Sequence, residues 1–509
     1  MKIGSNIIAS EEELASMGIS IEDLQKSLTL PNPEYKNALR FGKFYKKVDP
    51  YICYLRKDGD KYIVPRYYAG DQGYRGHLGR QIAANFKFDL RPYQKDFIED
   101  NYKTIKEESG ILLEASCGSG KTILAIYLSL LRGRQTLVIV PTNFLAKQWK
   151  QRIEESTDAS CFVLRATDKS VPLDKDFTII SMDLFSCRTL PKGFVANVGH
   201  VILDEAHRVG AETYLPILDE IPACYRTALT ATFRRSDGVH RILAYHFGRH
   251  LIMKSKFPKP SVYGVKTGVK AKNLLSKSKK YQVFLDFMDR HGFPYLETKG
   301  TISFTYSPDM RKVLDEDYRV GSIGKTAYKE VESCLKRSED APYSVVDSFL
   351  NEHPGRRKLA ISLIQECMDS GRNVLFLSKR KDILRTLQRY FESVHPMLIV
   401  SETNARSCED EEYLQRSCPL IFGVTQLAKE GLDIDRLDTL IIHLPMKDTE
   451  QAIGRVSRVC ASKKPPIVFY LLDDFPIAYA VYNNAKKFIR INAELMGEIH
   501  LCNVHDILI

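Results

Sequence analysis

Within Ile111–Thr122, ILLEASCGSGKT, an apolar run gives way to a small-residue loop and then to a helix pattern. No other stretch restricts the chain as strongly. Ile111-Leu112-Leu113 reads as a buried strand, and ILAIYLSLL after Thr122 reads as an apolar helix. Strand, loop and helix in that order are the context a phosphate-binding loop requires. Gly118 and Gly120, interleaved with Ser116 and Ser119, let the backbone curl. Successive N–H groups and a helix N-terminus then face one anion. Lys121 offers a point charge to β/γ-phosphates, and Thr122 offers a hydroxyl to Mg²⁺. The general pattern begins with Gly, where this chain has Ala115. A plain strand-to-helix turn with incidental glycines is the competing reading, and the rest of the chain decides between them.

The chain has 509 residues, too many for one core, so roughly three or four domains are expected. Its net charge of +11 favours a polyanionic partner, although a generic basic surface would give the same total. Eleven cysteines are scattered without any C-x-x-C pair, which argues against a disulfide framework or a zinc site and for a reducing compartment. The N-terminus lacks a basic segment followed by an apolar run, and no run of about 18 apolar residues exists. A cytosolic or nuclear protein with no membrane span is the expectation.

Along the chain, residues 1–85 read as an N-terminal domain. It opens on a helix over Ser10–Leu24 with Glu11, Glu12 and Glu13 in its first turn, broken by Pro31-Asn32-Pro33. Residues 35–75 hold ten Lys/Arg, four acids and ten aromatics. YICYLR-KDGD-KYIVPRYY within them reads as a hairpin turning at Asp58-Gly59. Such a block can grip phosphates and stack on unpaired bases. Equally, it can be a small β domain whose aromatics fill its own core.

Residues 86–250 alternate strands and helices and predict one doubly wound parallel sheet. Gln94, ahead of the loop, carries an amide able to read adenine by a paired donor and acceptor. TLVIV ends at Pro141-Thr142, and FTIIS ends at Ser181. Thr142 at a strand's carboxyl end suits a nucleic-acid phosphate, and Ser181 holds the analogous place. Trp149 on the following helix reads as core. VILDEAH delivers Asp204, Glu205 and His207 to the sheet edge. Asp204 can hold the Mg²⁺ bridging two phosphates, and Glu205 can orient and deprotonate a water. LTATF adds Thr230 and Thr232.

Residues 251–475 read as a second α/β domain. It begins with a Lys-rich linker, 251–281, holding nine lysines and no acid, and continues through an insertion, 282–350, of unassigned role. NVLFLSKR, MLIVS, PLIFGVT and TLIIHLP supply its strands. QLAKEGLDI puts Gly431 and Asp433 on a loop, and QAIGRVSR puts Arg455 and Arg458 on one helix face. Paired arginines facing phosphates neutralise transition-state charge. Residues 476–509 form a tail.

The ordered set LRPYQ, ASCGSGKT, PTNFLAKQW, DEAH, TAT, NVLFLS, VTQLAKEGLDI and QAIGRVSR resembles the DExH-type helicases of superfamily 2. LTATFRRSDG and the YIVPRYY block are similar to the branch holding XPB, phage recombination helicases and poxvirus transcript-release helicases. Length and insertions are similar to those of the African swine fever virus helicase. The resemblance implies an α/β fold of two tandem RecA-like domains, beside a small basic β-rich N-terminal domain, with ATP between the two and a nucleic-acid strand across them.

By motif, it implies that Gln94, Ser116, Gly118, Ser119, Gly120, Lys121, Thr122, Gly431, Asp433 and Gln451 bind the nucleotide. Thr122 and Asp204 would hold Mg²⁺, and Lys121, Asp204, Glu205, Arg455 and Arg458 would carry the chemistry. His207, Thr230 and Thr232 would couple the domains, and Thr142, Ser181 and Thr425 would hold a strand's backbone. The implied activity is ATP-driven translocation and duplex separation on DNA or RNA, without sequence preference, in viral transcription or genome processing. Remodelling of transcription complexes with little processive unwinding is the alternative. The implied partners are nucleic acid and the viral transcription machinery. The implied state is a monomer in the host cytoplasm or packaged in the virion.

Overall fold

A computed structural model describes the chain apart from residues 1, 33, 36–38, 40–47, 72–75, 117, 209–219, 232, 234–237, 255–259, 271–272, 277–280, 300, 338–342, 401–412, 415, 426–433, 445–449, 459–462, 475–498 and 503–509. It divides into two units, Met1–Lys256 and Phe257–Ile509.

The first unit is built on seven strands: β7 (Gly110–Ala115), β8 (Thr136–Val140), β9 (Cys161–Val163), β10 (Phe177–Ser181), β11 (His200–Leu203), β12 (Tyr225–Thr230) and β13 (Arg249–Met253). Their order is β13-β7-β12-β11-β8-β10-β9, and every pairing is parallel. A parallel sheet covered on both faces demands near-continuous apolar strands. TLVIV and FTIIS are buried at every position. The outer strands β9 and β13 have weaker apolar runs and were not legible as strands.

Among the described residues, six N-terminal strands precede this sheet: β1 (Lys2–Ile3), β2 (Asn6–Ala9), β3 (Thr29–Pro31), β4 (Tyr51–Cys53), β5 (Arg56–Asp58) and β6 (Lys61–Pro65). The expected single helix over Ser10–Leu24 is two, Glu11–Ser16 and Ile21–Leu28, because Gly18 adopts φ 75° between them. Ser10 caps the first through a reciprocal bond with Glu13. The hairpin is confined to β5 and β6, with Gly59-Asp60 as its two-residue turn. Tyr51–Cys53 pairs instead with Thr29–Pro31.

The N-terminal strands do not build a core of their own. Ile7, Leu14, Leu24 and Val64 pack in one cluster with Leu112, Leu137, Phe194 and Phe247 of the large sheet and its helices. Tyr62 and Tyr67 are buried, and Tyr54 and Tyr68 are half-buried against apolar neighbours, so these four are packing residues, though of a core shared with the large sheet rather than of a separate β domain. Tyr51 is exposed. Arg66, also buried, donates to the carbonyls of Ala223 (2.7 Å) and Cys224 (3.2 Å) and fastens the block to the sheet.

From there the chain runs as an extended strap beneath the amino ends of the strands. His77 N–H donates to Pro222 O, Arg80 N–H to Asn197 O, Ile82 N–H to Gly133 O and Lys87 N–H to Ser156 O. Close backbone approach requires Gly79 and Gly199, since a Cβ on Gly199 would lie 1.9 Å from Leu78 O.

The second unit has its own parallel sheet of β14 (Ser261–Lys270), β18 (Val374–Ser378), β19 (Met397–Ile399), β20 (Leu420–Val424), β21 (Thr439–Ile442), β22 (Ile467–Asp474) and β23 (Ile499–Cys502). The order is β19-β20-β18-β21-β22-β14-β23. The Lys-rich segment is therefore not a linker. Leu251–Met253 completes β13, Ser261–Lys270 lies inside the second sheet, and Asn273–Ser276 is β15. Among the described residues, Lys254 is exposed just after β13, Lys266 is exposed within β14 and Lys270 ends it, so that these strands read as part of a solvated run.

The insertion folds as a compact module. β15 (Asn273–Ser276), β17 (Thr301–Phe304) and β16 (Tyr295–Glu297) form an antiparallel sheet in that order. Phe284, Phe287, Leu314 and Val331, from helices Gln282–Arg290, Pro308–Arg319 and Lys325–Arg337, share one apolar cluster with Ile302 of β17. Val346, Phe349 and Leu350, from helix Tyr343–Glu352, pack with Leu274 of β15.

Candidate nucleotide site

The loop after β7 opens directly into helix Lys121–Arg132. Gly118 and Gly120 take φ of 81° and 77°, conformations a side chain would strain. At Gly120 a Cβ would also lie 2.7 Å from Gln94 Nε2, so that the amide would have to move from its place. Ser116, Gly118, Ser119 and Gly120 thus form a tight turn at the helix N-terminus, where Lys121 is buried and Thr122 half-buried.

Arg91 and the first turn of helix Pro92–Asp100 tie this loop. Arg91 Nη1 donates to Gly118 O (3.1 Å), and Tyr93 Oη to Ser119 O (3.2 Å). Gln94 Nε2 donates to Ser119 O and Gly120 O, while its Oε1 accepts from Arg91 N–H. The amide expected to read adenine is therefore engaged with the loop itself. Within the loop itself, Ser119 N–H donates to Ser116 O at 3.2 Å. Ser119 Oγ is buried with no hydrogen-bond partner among the described residues, which fits a cradle for a polar ligand such as phosphate.

Three strands bring the acidic pair to this loop. β12 lies between β7 and β11, so Thr230 at the end of β12 stands between the loop and Asp204. Asp204 is buried. Burial, and then the charge of Glu205, raise its pKa to about 6, while the Trp149 N–H and the Lys121 ammonium favour its charged form. Trp149 Nε1 donates to Oδ2 at 2.8 Å, and Glu205 N–H donates to Oδ1 at 2.8 Å. Glu205 adopts φ 48°, a left-handed conformation uncommon outside glycine and concentrated at functional sites. His207 Nδ1 lies 3.3 Å from Glu205 Oε2 and 3.5 Å from Thr230 Oγ1. Lys121, Asp204, Glu205, His207 and Thr230 are thus one connected group.

Thr142 Oγ1 caps helix Asn143–Ser156 by accepting from Leu145 N–H, which leaves its own hydroxyl proton to donate. Ser181 ends β10 with 3% of its surface exposed. In the second unit, Thr425 follows the end of β20. Arg455 lies on helix Glu450–Val456, together with Gln451. Arg458 Nη1 pairs with Asp435 at 3.2 Å. Thr232, Gly431 and Asp433 lie outside the described residues.

Reading the residues alone missed Trp149, Arg91 and Tyr93. Trp149 is buried, as a core residue would be, yet a buried indole N–H needs an acceptor. Its helix starts at the carboxyl end of β8, next to β11, and that was the available signal.

Residues 87–235 match the family described as "Type III restriction enzyme, res subunit". A protein of Acanthamoeba polyphaga mimivirus, named as an ATP-dependent RNA helicase, is 23% identical over 468 residues, 89% of this chain and 78% of its own length. The DNA 3'-5' translocase XPB2 of Sulfurisphaera tokodaii is 31% identical over 169 residues, 33% of this chain and 36% of its own. A protein of African swine fever virus, also named as an ATP-dependent RNA helicase, is 29% identical over 171 residues, 32% of this chain and 33% of its own. Among the described residues no helix is long and apolar enough to cross a membrane.

Proposed function

The chain belongs to the superfamily 2 helicases, and from that premise we propose that it is a nucleic-acid-stimulated ATPase that moves along one strand and separates duplexes. The observation that carries this reading is the group formed by the glycine loop and Lys121 after β7 and the Asp204–Glu205 pair after β11, two strands of one sheet separated only by β12. Lys121 and the loop N–H groups would bind the β/γ-phosphates. Thr122 and Asp204 would hold Mg²⁺, which when bound supplies charge neutralisation across those phosphates. Glu205 would orient the attacking water and accept its proton. Arg455 and Arg458 would reach the γ-phosphate during turnover, Arg458 first leaving Asp435, with Gln451, Gly431 and Asp433 contributing to nucleotide binding.

His207, Thr230 and Thr232 would pass the state of Glu205 onward. Thr142, Ser181 and Thr425 would hold the strand by its backbone, giving little sequence preference and strong salt dependence. A role in viral transcription or genome processing, in host cytoplasm or virion, and action as a monomer extend the same proposal.

A second reading keeps the ATPase but makes its output the stripping of a transcription complex. The inserted module favours it, because residues 273–352, from β15 to the end of helix Tyr343–Glu352, hold twelve Lys/Arg against thirteen Asp/Glu in a chain of net charge +11. A module that lacks the chain's excess of positive charge is less suited to a polyanion and better suited to a protein partner. Strand displacement measured beside ATP hydrolysis separates the two. Displacement that scales with hydrolysis supports the helicase, and hydrolysis without displacement supports the remodeller.

A further inference from the structure

Glu114 lies on β7, one residue before the strand ends at Ala115, and no step of nucleotide chemistry above uses it. A glutamate there interrupts the apolar run of a central parallel strand, and its neighbours explain what it does. Its Oε1 accepts from the backbone N–H of Phe233 at 3.1 Å, and its Oε2 pairs with His250 Nε2 at 2.7 Å. The Phe233 ring lies against His250, with centroids 4.2 Å apart and planes tilted by 37°. It also meets His240 edge-on at 5.2 Å. In register, Glu114 stands beside Thr230 of β12 on one side and Ile252 of β13 on the other.

One carboxylate therefore joins three segments with different duties. β7 feeds the phosphate loop. Phe233 follows Thr230, whose hydroxyl meets His207. His250 belongs to β13, the last strand before the chain enters the second unit at Phe257. Both side chains are about three-quarters covered, so the pair is neither a solvated surface contact nor a sealed core. A shift of the β7 end would carry Phe233 and His250 with it, because packed elements joined by short hydrogen bonds move together.

We propose that Glu114 is a positioning residue that transmits the state of the phosphate loop to the segment after Thr230 and to β13, and so sets how strongly nucleic acid stimulates turnover. The inference rests on the nucleic-acid-stimulated ATPase reading and deepens it. Glu114 touches no reacting atom, so its removal is expected to uncouple rather than inactivate.

Two full-length variants test this. Glu114→Gln is isosteric and keeps an oxygen for Phe233 N–H while losing the charge facing His250. His250→Phe keeps a ring against Phe233 and loses the nitrogen. In each, basal ATP hydrolysis, KM for ATP and single-strand affinity are expected to stay at wild-type values, while the polymer-stimulated kcat falls about tenfold, the size of an ordinary coupling free energy. The double variant is expected to fall no further than either single one. Full stimulation in both single variants would overturn the inference. So would a parallel fall of basal and stimulated rates, which would place Glu114 in the fold or chemistry of the loop. A wild-type protein that no polymer stimulates would instead overturn the underlying reading, and this inference with it.

Discussion

The indole N–H of Trp149 donates to Oδ2 of Asp204 at 2.8 Å, across 55 residues of sequence, and both side chains are buried. Trp149 is the only tryptophan in the chain. The bond fixes the orientation of the carboxylate that would hold the metal, as groups behind metal ligands commonly do. Trp149→Phe keeps the aromatic volume and removes only the donor. Mg²⁺ affinity in the presence of nucleotide should fall about 10-fold or more, with the thermal midpoint little changed. Intrinsic fluorescence of the wild type, arising from this one indole, should respond to Mg²⁺–ADP. An unchanged Mg²⁺ titration in the variant would remove Trp149 from the site.

Asp204 also makes the unliganded protein sensitive to pH. Its pKa is raised in the folded state to about 6, so between the ordinary carboxylate range and that value the folded protein holds a proton the unfolded chain has lost. Stability of the nucleotide-free protein should therefore decrease as pH rises from about 4 to about 6 through this group. Asp204→Asn should flatten that slope and raise the melting temperature at pH 7 by about 2 °C or more, while abolishing hydrolysis. A variant less stable than wild type at pH 7 would mean that the lost hydrogen-bond geometry outweighs the buried charge.

The strap under the first sheet makes a purely structural prediction. A Cβ on Gly199 would sit 1.9 Å from Leu78 O and 2.9 Å from Arg134 Cβ, contacts that require backbone movement. Gly199→Ala should destabilise the first unit by about 2 kcal/mol or more. Chemical denaturation reads this directly, and a wild-type midpoint would show the strap to be easily displaced.

Lys121→Ala and Glu205→Gln probe the chemistry itself. Each should lower kcat by about 100-fold or more through loss of phosphate binding or of the general base, while circular dichroism and melting remain those of a folded protein. Wild-type turnover in either variant would remove that residue from the site.

Much of this was legible in the sequence because the strands around the loop are apolar and end in chemistry. Ile111–Leu113, TLVIV, FTIIS and VILDEAH announce both their burial and the residues they deliver. What stayed hidden depends on partners far along the chain. Nothing local says that Gln94 turns its amide to the carbonyls of Ser119 and Gly120, that Trp149 reaches Asp204, or that Glu114 meets His250 across 136 residues. The lysines of 251–281 misled for a related reason, since charge at strand ends does not oppose pairing and Ser261–Lys270 is held by neighbours on both sides.

Steady-state ATP hydrolysis by the full-length protein, alone and with single-stranded DNA, double-stranded DNA or single-stranded RNA at two salt concentrations, tests the central claim most directly. Stimulation by at least one polymer that fades as salt rises is the predicted result, because the grip is on phosphates. Basal hydrolysis that no polymer changes at either salt concentration would contradict it.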